Sequence, residues 1–499
     1  MLLAAIPLLL APQGAVRVAP QPLPEPLRYL ESSNGLGNPQ MDGGPTEVEM
    51  GDVNGDGFPD LLTIGDHGSP YINTQMHGVT VWFGDGAGNW SVFQNGNFGY
   101  GGIALGDANN DGLMDVGYGM HHNYSSTDFG DQLLEVALGD GSGAAWLPWD
   151  DDLATAGETW GLAGTDFADV DSDGDLDIGS VGFGSSSGVQ VYLNNLDGTW
   201  THSFGFLGGN SENDFVFGDI NGDGHADIAF GHASSTTYLG DGQGGFSSGD
   251  ANLPPLANFG RRGVGLGDVD GDGLLDLSFV TSAGGIEVWL RTAAGGWAQL
   301  GGLPASGDWQ KTQLADMDLD GYADLVVAGR GRVAVALSDG AGGFLGETMF
   351  VTPQNGDMAF LRAGGDADRN GRPDLHLVAD EGGIFNSRNH LRFFREASTP
   401  HTLRATQTRP GPNATLRAGQ ASFIDWVSEV PGGGPSSVEL ELSTSGPAGP
   451  WTPVASGLPD NGRYQWAVPA TPSSDCRLRL TVDDGSGTSS RVGAPFCIL

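Results

Sequence analysis

Positive charge is what this chain has least of. Among 499 residues there are 21 Lys and Arg against 62 Asp and Glu, a formal net charge of -41, and Lys311 is the single lysine. No Lys or Arg occurs between Arg28 and Arg261. A polyanion of this size is repelled by phosphate backbones and anionic lipid surfaces, so neither nucleic acid nor an electrostatically docked membrane is expected as a partner.

Cysteine is scarce too, with only Cys476 and Cys497, both near the C-terminus. They permit one disulfide in an oxidising compartment, and two buried thiols are the alternative. Beyond the N-terminus no apolar run reaches the roughly 18 residues that span a bilayer, so no transmembrane segment is expected. Helical periodicity is missing, as are the GxSxG, HExxH, P-loop and dinucleotide-binding patterns. No catalytic residue is assigned, because most acidic pairs belong to a repeated loop.

With 38% hydrophobic residues, 12 Trp and 23 Phe, the chain has enough large apolar side chains for a folded core that carries its acid outside. Residues 1–19 read as a secretory signal whose apolar part runs from Met1 to Ala11. No basic residue precedes it and Pro7 interrupts it, so a buried N-terminal strand is the alternative.

The strongest pattern is internal repetition. A nine-residue motif recurs as DVNGDGFPD from Asp52, DANNDGLMD from Asp107, DVDSDGDLD from Asp169, DINGDGHAD from Asp219, DVDGDGLLD from Asp268, DMDLDGYAD from Asp316 and DADRNGRPD from Asp366. Successive starts lie 48 to 62 residues apart. A β-rich segment follows each loop, then an alternating strand such as Val79 to Phe83, then Gly-rich hairpin signals such as GDGAGNW, and a last short strand. Four strands per period of about 50 residues predict a propeller blade, with an open solenoid as the competitor. The expected architecture is all-β: a seven-bladed β-propeller over residues 20–398, then a small β-sandwich over 401–499. The seventh unit lacks its last strand, and the otherwise unemployed segment 27–31 is expected to close it.

Oxygen donors at positions 1, 3, 5 and 9 with Gly at 6 suit a hard cation, because alternate residues turn their side chains to one centre and Gly relieves the tight turn. The ligand candidates are Asp52, Asn54, Asp56 and Asp60; Asp107, Asn109, Asp111 and Asp115; Asp169, Asp171, Asp173 and Asp177. They continue as Asp219, Asn221, Asp223 and Asp227; Asp268, Asp270, Asp272 and Asp276; Asp316, Asp318, Asp320 and Asp324; and Asp366, Asp368, Asn370 and Asp374. Calcium is the expected ion, up to seven of them and structural in role; zinc would want His or Cys, and magnesium stricter geometry. The competing reading is that Asp-Gly pairs merely form tight turns, but a turn needs neither the third nor the ninth carboxylate. The seventh loop, with Asn370 and two flanking arginines, is expected to bind most weakly.

These loops, followed by GDGxGxF hairpins, resemble the FG-GAP or VCBS repeats of integrin-alpha-like propellers over about residues 27–398. The resemblance implies calcium and a propeller; its members include adhesion receptors, lectins and a few polysaccharide-active enzymes. The segments GQASFIDW, GRYQWAVP and CRLRLTV resemble fibronectin-III or immunoglobulin-like modules, with Cys476 and Cys497 on late strands. The leading expectation is a secreted or cell-surface recognition module for carbohydrate or protein, with a polysaccharide lyase or hydrolase and a purely structural protein as alternatives.

Antiparallel strands send alternate loops to opposite faces, so a ligand is expected on the face away from the acidic loops. Its candidate residues are Tyr100, Trp160, Asp214, Arg261, Arg262, Trp309 and Lys311, with Arg261, Arg262 and Lys311 as a possible cationic island. His67, His77, His121 and His122 are a weaker metal candidate whose spacing matches no motif.

Overall fold

The computed structural model describes residues 26–499 apart from 38–40, 43–45, 65–77, 95–100, 121–129, 155–161, 183–187, 208–210, 233–234, 255–258, 301–307, 354–355 and 382–387. The described residues form strands, bends and turns with no helix. Up to residue 396 they build repeated antiparallel sheets, the arrangement of a β-propeller.

Seven such sheets follow one another. In the first, Glu49–Gly51, Asp60–Ile64, Val79–Gly84 and Trp90–Gln94 pair in sequence order. The seventh takes Met358–Ala363, Leu375–Asp380 and Arg388–Glu396 from one end of the chain and Tyr29–Glu31 from the other. Tyr29 stands opposite Glu396 and Glu31 opposite Phe394.

The core is divided among the joints between sheets. Alternate residues of a strand face opposite neighbours: Leu61 packs with Val378 and Phe393 of the seventh sheet, while Leu62 packs with Val116 and Tyr118 of the second. Seven apolar clusters fill the seven joints in this way, including the one between the last sheet and the first. Strands apolar on both faces are therefore required, which is why Val79, Val81 and Trp82 are all fully buried. Aromatic side chains also link neighbours. The Nε1–H groups of Trp90, Trp200 and Trp297, each opening the fourth strand of its sheet, donate to the carbonyls of Ser32, Trp149 and Gly249 of the preceding sheet at 2.9 Å.

The C-terminal residues form two further sheets around one core that includes Trp426, Leu440, Leu478 and Phe496. Here the expected disulfide is absent: Cys476 and Cys497 are both free thiols. Cys476 stands opposite Phe496 in the pairing, so Cys497, one residue on, turns to the other side of the pleat. Cys476 is buried in the core, while the Cys497 thiol donates to the Ala414 carbonyl at 3.6 Å.

Candidate metal centre

Each acidic loop joins the first strand of a sheet to the second, and the fold holds it by two repeated devices. The first uses position 1: in all seven loops its carboxylate accepts the amide N–H of the Gly at position 6, at 2.7 to 3.0 Å. That closure needs the left-handed backbone of Gly57, Gly112, Gly174, Gly224, Gly273, Gly321 and Gly371, whose φ values run from 84° to 102°.

The second device uses position 9. Asp60, Asp115, Asp177, Asp227, Asp276, Asp324 and Asp374 each accept one N–H from position 2 of their own loop and another from the end of the third strand, at 2.7 to 3.1 Å. All seven are fully buried. The ninth carboxylate thus has structural work of its own, which corrects the view that a turn has no use for it. Sequence reasoning missed this because the partner amide lies 13 to 24 residues further on.

Positions 3 and 5 remain. In four loops, carboxylate oxygens lie within 4.8 Å of one another as triads: Asp169, Asp171 and Asp177; Asp268, Asp270 and Asp276; Asp316, Asp318 and Asp320; Asp366, Asp368 and Asp374. In the loops with Asn at position 3, the Asn54, Asn109 and Asn221 amides donate to the Asp at position 5 at 3.0 to 3.1 Å. Burial is the main cause that pushes the carboxyls of Asp60 and Asp227 up to about 8 and those of Asp115, Asp219 and Asp268 up to about 7, with neighbouring carboxylates adding to it.

The third loop goes furthest. Position 7 is Asp175, a fifth carboxylate that sequence reasoning did not count; burial and then the charges of Asp173, Asp169 and Asp171 push it up to about 8. Asp171 Oδ1 and Asp175 Oδ1 are buried with no hydrogen-bond partner. Clustered carboxylate oxygens, some without a donor, fit a divalent cation, and these triads can hold one.

The seventh loop differs. Arg395 Nη1 pairs with Asp368 at 3.0 Å, which among the described residues is the one ion pair that reaches a loop carboxylate at position 1, 3, 5 or 9. Arg369 turns away to the C-terminal unit, donating from Nε to the Asp460 carbonyl and from Nη1 to that of Gly434, both at 3.1 Å, and from Nη2 to the Gly57 carbonyl of the first loop.

The acidic loops are not an open face. Gln465 Nε2 donates to the Asp107 carbonyl at 2.8 Å, Asn461 Nδ2 to Asp52 Oδ2 at 3.3 Å, the Ala421 amide to Asp169 Oδ2 at 2.8 Å and Asn413 Nδ2 to the Gly271 carbonyl at 3.1 Å. Arg417, Pro412 and Glu429 stand within 3.1 Å of where a Cβ on Gly224, Gly321 and Gly371 would lie. Every one of the seven loops is met by the C-terminal unit.

Of the candidate ligand residues, Asp214 and Lys311 are brought together as an ion pair, with Lys311 buried. Lys311 is therefore matched by a carboxylate and is no free cation for an island. Trp309 is buried in the joint between the fifth and sixth sheets, with the Arg332 guanidinium 4.4 Å from its ring, so it offers no surface for stacking. Arg261 and Arg262 lie in the strand Phe259–Gly267, and their side chains fall outside the described residues, as do Tyr100, Trp160, His67, His77, His121, His122 and the signal expectation over 1–19.

Comparison with known families matches the FG-GAP-like repeat at residues 52–118, 169–230, 268–327 and 316–377, so the chain carries repeats of that kind. No curated protein matches. Among solved structures, a lectin of Agrocybe aegerita, described by its specific recognition of non-reducing terminal N-acetylglucosamine, is 19% identical, with 62% of this chain and 81% of the lectin covered at a TM-score of 0.42. A Lactobacillus plantarum protein is 12% identical, with 77% and 96% covered at a TM-score of 0.22. Superpositions this loose carry no argument about what this chain binds. No described helix is long and apolar enough to cross a membrane.

Proposed function

We propose that this chain is a calcium-stabilised recognition module, secreted or held at a cell surface, that binds a carbohydrate or a protein through the face away from its acidic loops. The observation that carries the reading is that the C-terminal unit meets all seven acidic loops, so the connections at the other ends of the strands are where a partner is to be sought. Loops on a rigid scaffold are where binding residues concentrate.

Calcium is the ion this reading requires. The donors are carboxylates, side-chain amides and main-chain oxygens in one tight loop, a hard-oxygen set with no His or Cys among the repeated ligand positions. Seven ions would offset about 14 of the formal charges, and an exterior rich in calcium would keep the loops filled. Tyr100 and Trp160 precede the first strands of the second and third sheets in the chain and are the aromatic positions to test.

The test is a glycan array and a panel of extracellular proteins probed with the calcium-loaded full chain. Binding that is lost in Tyr100→Ala and Trp160→Ala, with an unchanged melting temperature, is the expected result. Binding that survives both changes but disappears when Asn461 or Gln465 is altered would move the ligand to the acidic-loop face and overturn the reading.

A further inference from the structure

We propose that ion binding in the acidic loops and docking of the C-terminal unit are one linked equilibrium: each stabilises the other, and stripping the ions loosens the unit from the propeller. This rests on the reading of the loops as calcium sites and goes beyond it, because the ions then fasten two units together as well as each loop to its sheet.

Two of the contacts fall directly on candidate ligand carboxylates. The Ala421 amide donates to Asp169 Oδ2, an oxygen that also takes the Gly174 amide at 3.0 Å, and Asn461 Nδ2 donates to Asp52 Oδ2, which also takes the Gly57 amide at 2.9 Å. An ion that fixes the Asp169 and Asp52 carboxylates in place therefore holds each oxygen where its donor from the C-terminal unit can reach it.

The remaining contacts read loop shape. Gln465 makes a two-bonded pair with the main chain of Asp107, its Oε1 accepting the Asp107 amide at 3.0 Å and its Nε2 donating to the Asp107 carbonyl at 2.8 Å. Asn413 bonds the Gly271 carbonyl and lies so close to Gly273 that an added Cβ would meet the Asn413 carbonyl oxygen at 2.7 Å. Such contacts hold only while the loop keeps one conformation. Without a cation, three carboxylates within 4.8 Å of one another favour opening of that loop. Linkage then demands the converse: a docked unit raises the ion affinity of the loops it touches by the same factor by which ions tighten docking.

The experiment is hydrogen exchange on the full chain with calcium bound and after chelation, with metal content followed by elemental analysis. Exchange over residues 413–421 and 461–465 is expected to rise at least tenfold on chelation, while the unit's own core strands Ser437–Ser443 and Ser473–Asp483 keep their protection. Protection at the contact residues that stays the same after the metal has left overturns the linkage but spares the calcium reading. A protein that never holds metal overturns both.

A second measurement guards against a change that spreads through the whole chain. The double variant Asn461→Ala, Gln465→Ala removes surface amides and no core side chain. It is expected to weaken a subset of sites several-fold in a terbium or calcium titration, with the other sites unmoved. A titration identical to the parent's would sink the proposal.

Discussion

Asp276 and Arg291 are joined across a sheet: Asp276 Oδ1 accepts the Arg291 amide at 2.8 Å, while Oδ2 of the same carboxylate takes the Val269 amide at 2.8 Å. One buried side chain thus locks the entrance of the fifth loop to the end of its third strand. Removing it leaves two buried N–H groups without partners, whatever ion is present.

Asp276→Ala is therefore expected to cost about 2–5 kcal/mol both in calcium and in EDTA. Asp272, at position 5, bonds only within the loop, to the Leu274 amide at 2.9 Å. Asp272→Ala should destabilise the calcium form by roughly 1 kcal/mol and leave the chelated form nearly unchanged. Denaturant melts of both variants in both buffers check this, and an Asp276→Ala cost that appears in calcium but vanishes in EDTA would assign position 9 to the ion alone.

The glycines at position 6 separate backbone strain from contact with the C-terminal unit. Gly112 has φ of 89° and nothing near its missing Cβ, so Gly112→Ala should cost about 1–2 kcal/mol through the backbone. Gly273 has φ of 87° and the Asn413 oxygen 2.7 Å from that point. Gly273→Ala should cost about 1–3 kcal/mol more than the first change and raise proteolysis near residue 413. Identical melts and cleavage patterns would remove the contact from the account.

Ion removal should be visible in the whole molecule. With each site dissociating near ~0.1 mM in ~1 mM free calcium, one ion adds about 1.4 kcal/mol, and seven together rival the stability of a domain. Chelation is expected to lower the melting temperature by more than about 10 °C. An unchanged melt would end the calcium reading. Within the set, the third loop, with its fifth carboxylate at Asp175, should hold its ion last, and the seventh, where Arg395 occupies Asp368, should release first. A stepwise chelator titration of Asp175→Asn and Arg395→Ala against the parent checks the order.

Acid–base behaviour offers a site apart from the loops. Burial pushes the Glu135 carboxyl up to about 8, although it accepts the Tyr118 hydroxyl at 2.7 Å and the Gly130 and Gln132 amides. Above the ordinary value of 4.5 the unfolded chain gives up this proton while the folded one keeps it. Stability from this group is present below about 4.5 and is lost as pH rises toward about 8, by up to about 1.4 kcal/mol per pH unit. Glu135→Gln should gain on the parent as pH rises from 5 to 8 in urea melts; parallel curves would refute it.

The acidic loops could be read in advance because their chemistry is contiguous. Nine residues carry the donors and the Gly whose φ closes the turn, and Asp85, Asp241 and Asp339 cap the Gly-rich hairpins within four residues of themselves. What the sequence hid lies between distant residues. Lys311 meets Asp214 at a separation of 97 residues, and Ala421 meets Asp169 at 252. Trp309 reads as a rim aromatic from its place after a loop, but a strand with two buried faces draws it into a joint. No local pattern marks Asn413, Asn461 or Gln465, since an amide that bonds a foreign backbone looks like any polar surface residue.

The strand Tyr29–Glu31 has to wait for its partner. Arg388–Glu396 leaves the ribosome some 360 residues after it, so through most of synthesis the nascent chain carries an unmated strand whose sheet has yet to be made. Sealing that seam is a late, long-range event, and it makes the interval before release the period in which two growing chains are most exposed to exchanging strands.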